Sequence, residues 1–219
     1  MAHNPKDKKK KLQHVLIVEG KDEEHVIYHI CEHYKISETF NVIDVEGIDN
    51  ACKRFVPELT ASNYKRVGLL VDNEPDRNIW ESIASDFAGY KSFFEPFPPN
   101  PTIGGTLVHV KDGYPQYDNF GIWLMPNNKD KGTLEDFLKT IKGNDDALLN
   151  FAGETLTELE GSGLHKYKPV HRKKALIHTY LAWQENPGAP YGTALKQKAF
   201  DIEHPDVQAL ADWLRRLFE

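Results

Sequence analysis

The chain has 219 residues, 40% hydrophobic and 27% charged, with a formal net charge of -6. That length holds one substantial core, or an α/β domain with a helical extension, and the negative balance excludes a globally basic nucleic-acid binder. No apolar run approaches the roughly 18 residues of a membrane span, so no membrane is expected. Two cysteines, Cys31 and Cys52, lack CxxC pairing, which excludes a disulfide framework and a zinc knuckle and predicts reduced thiols. Met1 to Lys11 is polar and lysine-rich and lacks the apolar centre of a secretory signal. A flexible basic tail over residues 1–12 and a cytoplasmic protein are therefore the expectation.

His14 to Val18 (HVLIV) predicts a buried strand that ends at a Glu19-Gly20 turn. Lys21 to Tyr34 sets Val26, Ile27, Ile30, Cys31 and Tyr34 at helical spacing, with acids in the first turn, where the helix dipole favours them. Phe40 to Val45 predicts a second strand. Ile48 to Leu59 predicts a second helix with Ala51, Phe55 and Leu59 on one face. Val67 to Val71 (VGLLV) predicts a third buried strand ending at Asp72, and Pro75 to Phe87 a third helix with its proline early, where it is tolerated. Gly89 to Pro101 is proline- and aromatic-rich and predicts a loop crossing the surface. Thr106 to Val110 and Phe120 to Met125 predict two more strands, and Thr133 to Ile141 a helix capped by Thr133. Beyond Ala147 the period is helical, including Lys173 to Gln184 and an amphipathic Val207 to Phe218. The expected organisation is an α/β domain over 13–144 and a helical extension over 145–219 packed on the same core.

Strands alternating with helices imply parallel pairing and a doubly wound sheet. Glu19 and Asp72 then share its carboxyl edge, where open α/β sheets bind ligands. Around Glu19 the run is Val15-Leu16-Ile17-Val18-Glu19-Gly20-Lys21-Asp22-Glu23, with Gly20 letting the backbone turn and Glu23 one helical turn on. Asp72, Glu74 and Asp76 follow the third strand at alternate positions, a spacing that lets hard oxygen ligands converge on Mg²⁺. Glu135 and Asp136 stand at a helix start just after a strand, where they would equally well complement the helix N-terminus. Basic runs flank this acidic centre: Lys6 to Lys11, and His165, Lys166, Lys168, His171, Arg172, Lys173 and Lys174. Such a layout suits a metal site that receives phosphates; the plain alternative is solvated surface. His25, His29 and His33 recur every fourth residue, a spacing able to chelate zinc, but a solvated helix face is the stronger expectation. There is no GxxxxGK[ST] loop and no GxSxG elbow. A receiver domain also carries acids after strands one and three, but the glycine after Glu19 and the length of the chain disfavour it.

The segments VLIVEGKDE, LLVDNEPD, GIWLMP and GTLEDFL, in this order over roughly residues 14 to 141, resemble a TOPRIM domain. The pattern is similar to that of small stand-alone TOPRIM-like proteins and of the nuclease half of the OLD (overcoming lysogenization defect) family. The resemblance implies a TOPRIM-like, mainly parallel doubly wound fold and a Mg²⁺-dependent site (Mn²⁺ as substitute) that acts on DNA or RNA phosphodiesters. By position Glu19 is the glutamate after strand one, a metal ligand or general base, and Glu23 the second glutamate of the OLD-type turn. Asp72 and Glu74 fall on the Asp-x-Asp pair, and Glu135 on the later glutamate. Glu74 replaces an aspartate, which leaves Asp76 open as the second ligand. A lysine from the C-terminal helices, Lys174 or Lys173, would stabilise phosphate charge, and Lys21, Lys166, Lys168 and Arg172 would join Lys173 in holding nucleic acid. The resemblance further implies an oligomeric complex with a separate ABC- or SMC-like ATPase, often in defence against phage. Its alternative is a TOPRIM-like interaction subunit whose site has decayed.

Overall fold

Uninterrupted aliphatic runs need two faces to bury, and alternate residues of each central strand go to opposite sides of one sheet. The computed structural model describes residues 12–37, 39–61, 64–112 and 119–219. The lysine-rich tail expected to be flexible lies outside them, except for Leu12. The elements are β1 (His14–Val18), α1 (Lys21–Tyr34), β2 (Phe40–Asp44), α2 (Ile48–Ala61), β3 (Arg66–Asp72), α3 (Ile79–Phe87), β4 (Thr106–His109), β5 (Asn119–Met125), α4 (Leu134–Lys142), α5 (Ala147–Gly161), α6 (Arg172–Ala182), α7 (Tyr191–Lys196) and α8 (Pro205–Phe218). The sheet order is β2-β1-β3-β5-β4, parallel except for the antiparallel edge strand β4. This is the doubly wound, mainly parallel α/β architecture expected.

Val15, Ile17, Leu69 and Val71 face α2 and α3, where Ala51, Phe55, Ile79, Ile83 and Phe87 complete one core. Leu16, Val18 and Leu70 face the other way, into a larger core shared with α1, α4 and the helices beyond. The seat of α8 is cut by small residues. Gly68 and Gly121 are register partners on β3 and β5. A Cβ on Gly121 would come within 2.8 Å of Leu217 and 3.0 Å of Trp213, and one on Gly68 within 3.0 Å of Leu217. The two glycines thus form a notch into which α8 drops its apolar face, and the Trp213 indole also donates to the Thr106 carbonyl at 3.3 Å.

Three expectations are corrected. The third helix starts at Ile79, not Pro75, with Asn78 as cap accepting from the Glu81 amide at 3.3 Å. Pro75 to Arg77 are spent on a turn because the chain is pinned beside it. Asn73 and Gly132 exchange backbone hydrogen bonds at 2.9 Å each, and the Lys131 ammonium donates to the Arg77 carbonyl at 2.8 Å. The segment 89–101 does not simply cross the surface: Phe94 is 3% exposed, bridges to Val110, and meets Phe120 edge-on at 4.9 Å. The second helix continues to Ala61; the Leu59 side chain expected on its buried face lies outside the described residues. Among the described residues no helix is long and apolar enough to cross a membrane.

Candidate functional site

Parallel strands deliver their carboxyl ends to one edge, and here three of those ends carry the acids or the helix that completes them. Glu19 follows β1 directly, and its Oε1 accepts the Asp72 amide at 2.6 Å. Asp72 closes β3, and its Oδ1 accepts the Leu134 amide at 3.0 Å, at the N-terminus of α4. That amide is one of the unsatisfied donors of a helix start, so the aspartate is held at the positive end of a helix dipole. Glu23 rises from the first turn of α1; Gly20 leaves it space, since a Cβ there would sit 3.2 Å from its Oε2. Glu135, in the first turn of α4, accepts from the Thr133 hydroxyl at 2.8 Å. Asp136 beside it completes the capping box of Thr133: it accepts the Thr133 amide at 2.8 Å and the Lys173 ammonium at 2.6 Å. The helix start alone does not tell these two acids apart, the resemblance points to Glu135, and the fold gives them different partners.

Burial and mutual repulsion disfavour ionisation here. Burial, aided by the charges of Glu19, Glu23 and Glu135, pushes the Asp72 carboxyl up to about 9, against the pull of the Leu134 amide. Burial also lifts Glu19 to about 7, with Glu23 and Glu74 adding to it and the Asp72 amide opposing. Glu23 is raised by burial first and then by Asp22 and Glu135. All the donors are hard oxygens, short of positive charge and partly buried, which fits a hard divalent cation such as Mg²⁺. Among the described residues no three His, Cys, Asp or Glu side chains are grouped closely enough to hold a metal ion as they stand. The same holds for the α1 histidines. His29 lies 3.3 Å from Glu32 and His33 2.7 Å from Glu203, and His25 is exposed.

The whole described fold fits one family model. The chain belongs to the DUF3226 family. That model, described as a protein of unknown function, matches residues 13–219. The DUF3226 chain is also similar to two solved structures. The C-terminal region of the Xanthomonas campestris pv. campestris OLD protein aligns at 14% identity and TM-score 0.48, covering 93% of this chain and 92% of that one. The C-terminal region of the Burkholderia pseudomallei OLD protein aligns at 13% identity and TM-score 0.49, covering 96% and 100%. No curated protein matches the sequence.

The cationic residues of this DUF3226 chain divide sharply. Lys174 donates to Asp22 at 3.2 Å, and the charges of Glu135 and Glu23 also act on it. Lys173 is occupied by Asp136. Lys21 turns toward the end of β2, bonding Glu24 at 2.8 Å and pairing with Asp44. Arg172 bonds Glu160 and Thr157, each at 3.1 Å. Lys166 and Lys168 lie exposed between α5 and α6. Glu74 is partly buried and its charge reaches Glu19, whereas Asp76 is exposed on the outer turn. A cavity of about 660 Å³, lined by His29, His33, Phe200 and Glu203, opens along α1 and α7 and contains none of these acids.

Two residues escaped the sequence reading. Tyr191, 1% exposed at the start of α7, has its hydroxyl 3.4 Å from His178 Nε2. Burial, and then the charges of Glu135 and Asp22, push that hydroxyl's ionisation well above the usual tyrosine range. Its helix gets that close to α1 because Gly192 has no side chain; a Cβ there would stand 2.6 Å from the His25 carbonyl. Arg77 is the other. It pairs with Asp49, and its charge lowers Glu19. Neither residue belongs to a local motif.

Proposed function

We propose that this is a TOPRIM-type site that hydrolyses nucleic-acid phosphodiesters with Mg²⁺, in a cytoplasmic protein that works beside a separate ABC- or SMC-like ATPase. The observation carrying the proposal is the set of partly buried carboxylates, Glu19, Glu23 and Asp72, raised together at the carboxyl edge of the sheet. An uncompensated cluster of this kind costs stability unless a cation joins it. Glu19, Asp72 and Glu135 would hold the ion, with Glu74 and Glu23 adjoining and Asp76 further out. When bound, Mg²⁺ supplies Lewis-acid polarisation of the phosphate and an activated water.

The chain's own residues do the rest. Glu19 would serve as ligand or general base, its carboxylate aimed from the end of β1 by the Asp72 amide. The Asp72 and Leu134 amides fix the two carboxylates in place, so little reorganisation is left for the reaction. Lys174, loosely engaged by Asp22, offers charge to the phosphate. Support also comes from the ordered motifs VLIVEGKDE, LLVDNEPD and GTLEDFL. The absence of such a close grouping among the described residues, with Glu74 in place of an aspartate, favours a second reading: an interaction subunit with a decayed site, held in a nucleic-acid-processing complex.

Cleavage of mixed DNA and RNA substrates in Mg²⁺ or Mn²⁺, beside a Glu19→Gln/Asp72→Asn double variant, separates the two. Metal-dependent cutting that falls by roughly 100-fold or more in the variant supports the nuclease. Absence of both cutting and calorimetric metal binding leaves the interaction subunit.

A further inference from the structure

In the sheet order the end of β1 lies between the ends of β2 and β3. The loop after β2 is drawn against β1: the Val45 amide donates to the Val18 carbonyl at 3.2 Å and the Gly47 amide to the Glu19 carbonyl at 2.8 Å. Asp49, in the first turn of α2, follows at once. The turn after β3 is closed by the Arg77 amide on the Glu74 carbonyl at 3.4 Å, and Lys131 fixes the Arg77 carbonyl from the far side. The ion pair between Arg77 and Asp49 thus joins the turn after β3 to the first turn of α2, two segments that flank the end of β1. The electrostatics agree, since Arg77 acts on Glu19 and Glu74 acts on Arg77.

This pair is open to solvent, with 43% of the Arg77 side chain and 65% of the Asp49 side chain exposed, so the carboxylate can be exchanged for another anion. The guanidinium presents a planar fork of donors that suits a carboxylate or a phosphate equally. Lys173, Lys174 and Lys21 are held by Asp136, Asp22 and Asp44, whereas Arg77, paired with the exposed Asp49, also acts on Glu19.

We propose that Arg77 is a phosphate-binding residue of the site, held at rest by Asp49, which a backbone phosphate of the substrate displaces. The inference rests on the phosphodiester reading. It places the bound strand across the end of β1, between Arg77 on one flank and Lys174 on the other. Asp49 is then a competitor for the substrate, which keeps the arginine extended over the site while no strand is bound.

The two members of a purely structural ion pair should fail alike, whereas a placeholder and its arginine should fail in opposite directions. The full chain, with Arg77→Gln, Arg77→Lys and Asp49→Asn variants, would be titrated with fluorescently labelled DNA and RNA oligonucleotides in Ca²⁺, followed by fluorescence anisotropy. Cutting in Mg²⁺ would then give KM and kcat. Arg77→Gln is expected to weaken binding by about 10-fold or more, with the loss appearing in KM rather than kcat. Arg77→Lys should recover part of it, and Asp49→Asn should tighten binding severalfold. Weaker binding in both Arg77→Gln and Asp49→Asn, or no change in either, overturns the inference. If the opposite shifts appear but Glu19→Gln cuts as well as wild type, phosphate binding by Arg77 stands and the catalytic reading falls. If wild type binds neither oligonucleotide, both fall together.

Discussion

The carboxyl edge of the sheet and the seat of α8 are built on opposite terms. At the seat, Trp213, Leu214, Leu217 and Phe218 are all but fully buried over the Gly68/Gly121 notch, and each contact there favours the native state. At the edge, acids are brought together half-dry, and their repulsion works against the native state until charge arrives. Stability is concentrated in one region so that the other can be held under electrostatic tension.

The largest effect should come from breaking the seat. Trp213→Ala removes a buried aromatic and its hydrogen bond and should cost about 3–5 kcal/mol, read as a lower denaturation midpoint with m unchanged. Gly121→Val fills the notch and should cost roughly 1–3 kcal/mol by overpacking. At the edge the sign reverses. Asp72→Asn removes a buried ionisable acid, so the metal-free protein should gain about 1–2 kcal/mol while losing cation binding. A destabilised, metal-binding Asp72→Asn protein would break the comparison.

The pH dependence sharpens it further. An acid with a raised native value keeps its proton longer folded than unfolded, so it supports stability fully below the unfolded value. That support declines as pH climbs through the native one, about 7 for Glu19 and about 9 for Asp72. Without divalent ions the melting temperature should fall between about pH 5 and pH 9; Mg²⁺ should flatten the fall by binding the ionised form. A profile that rises over that window would remove the tension argument. The smallest effect belongs to Lys173→Ala, whose ion pair with Asp136 is half exposed and should be worth no more than about 1 kcal/mol.

How much of this was legible depended on range. The bounds of α1, 21–34, follow from local signals alone, a glycine turn, acids in the first turn and a helical apolar period. So do the five strands to within a residue or so, and the placement of Glu19 and Asp72 at one edge. The start of α3 was misread because Pro75 is an acceptable helix opener, and only the distant Gly132 and Lys131 hold that stretch as a turn. Glu135 and Asp136 look alike in sequence; their roles divide through contacts with Thr133 and Lys173. Arg77 and Tyr191 carried no signal, since Asp49, and Glu135 and Asp22, which give them meaning, come from other elements. Lys166 and Lys168 stand exposed between α5 and α6.

The notch has a consequence for biosynthesis. Gly68 and Gly121 leave the sheet with a gap that residues 205–218 fill, so the strands emerge from the ribosome long before their cover does. Until that helix is translated, the larger face of the nascent sheet is wet and the edge that carries the acids has no firm base. A chain stalled before α8 should therefore present a chaperone with an open apolar furrow.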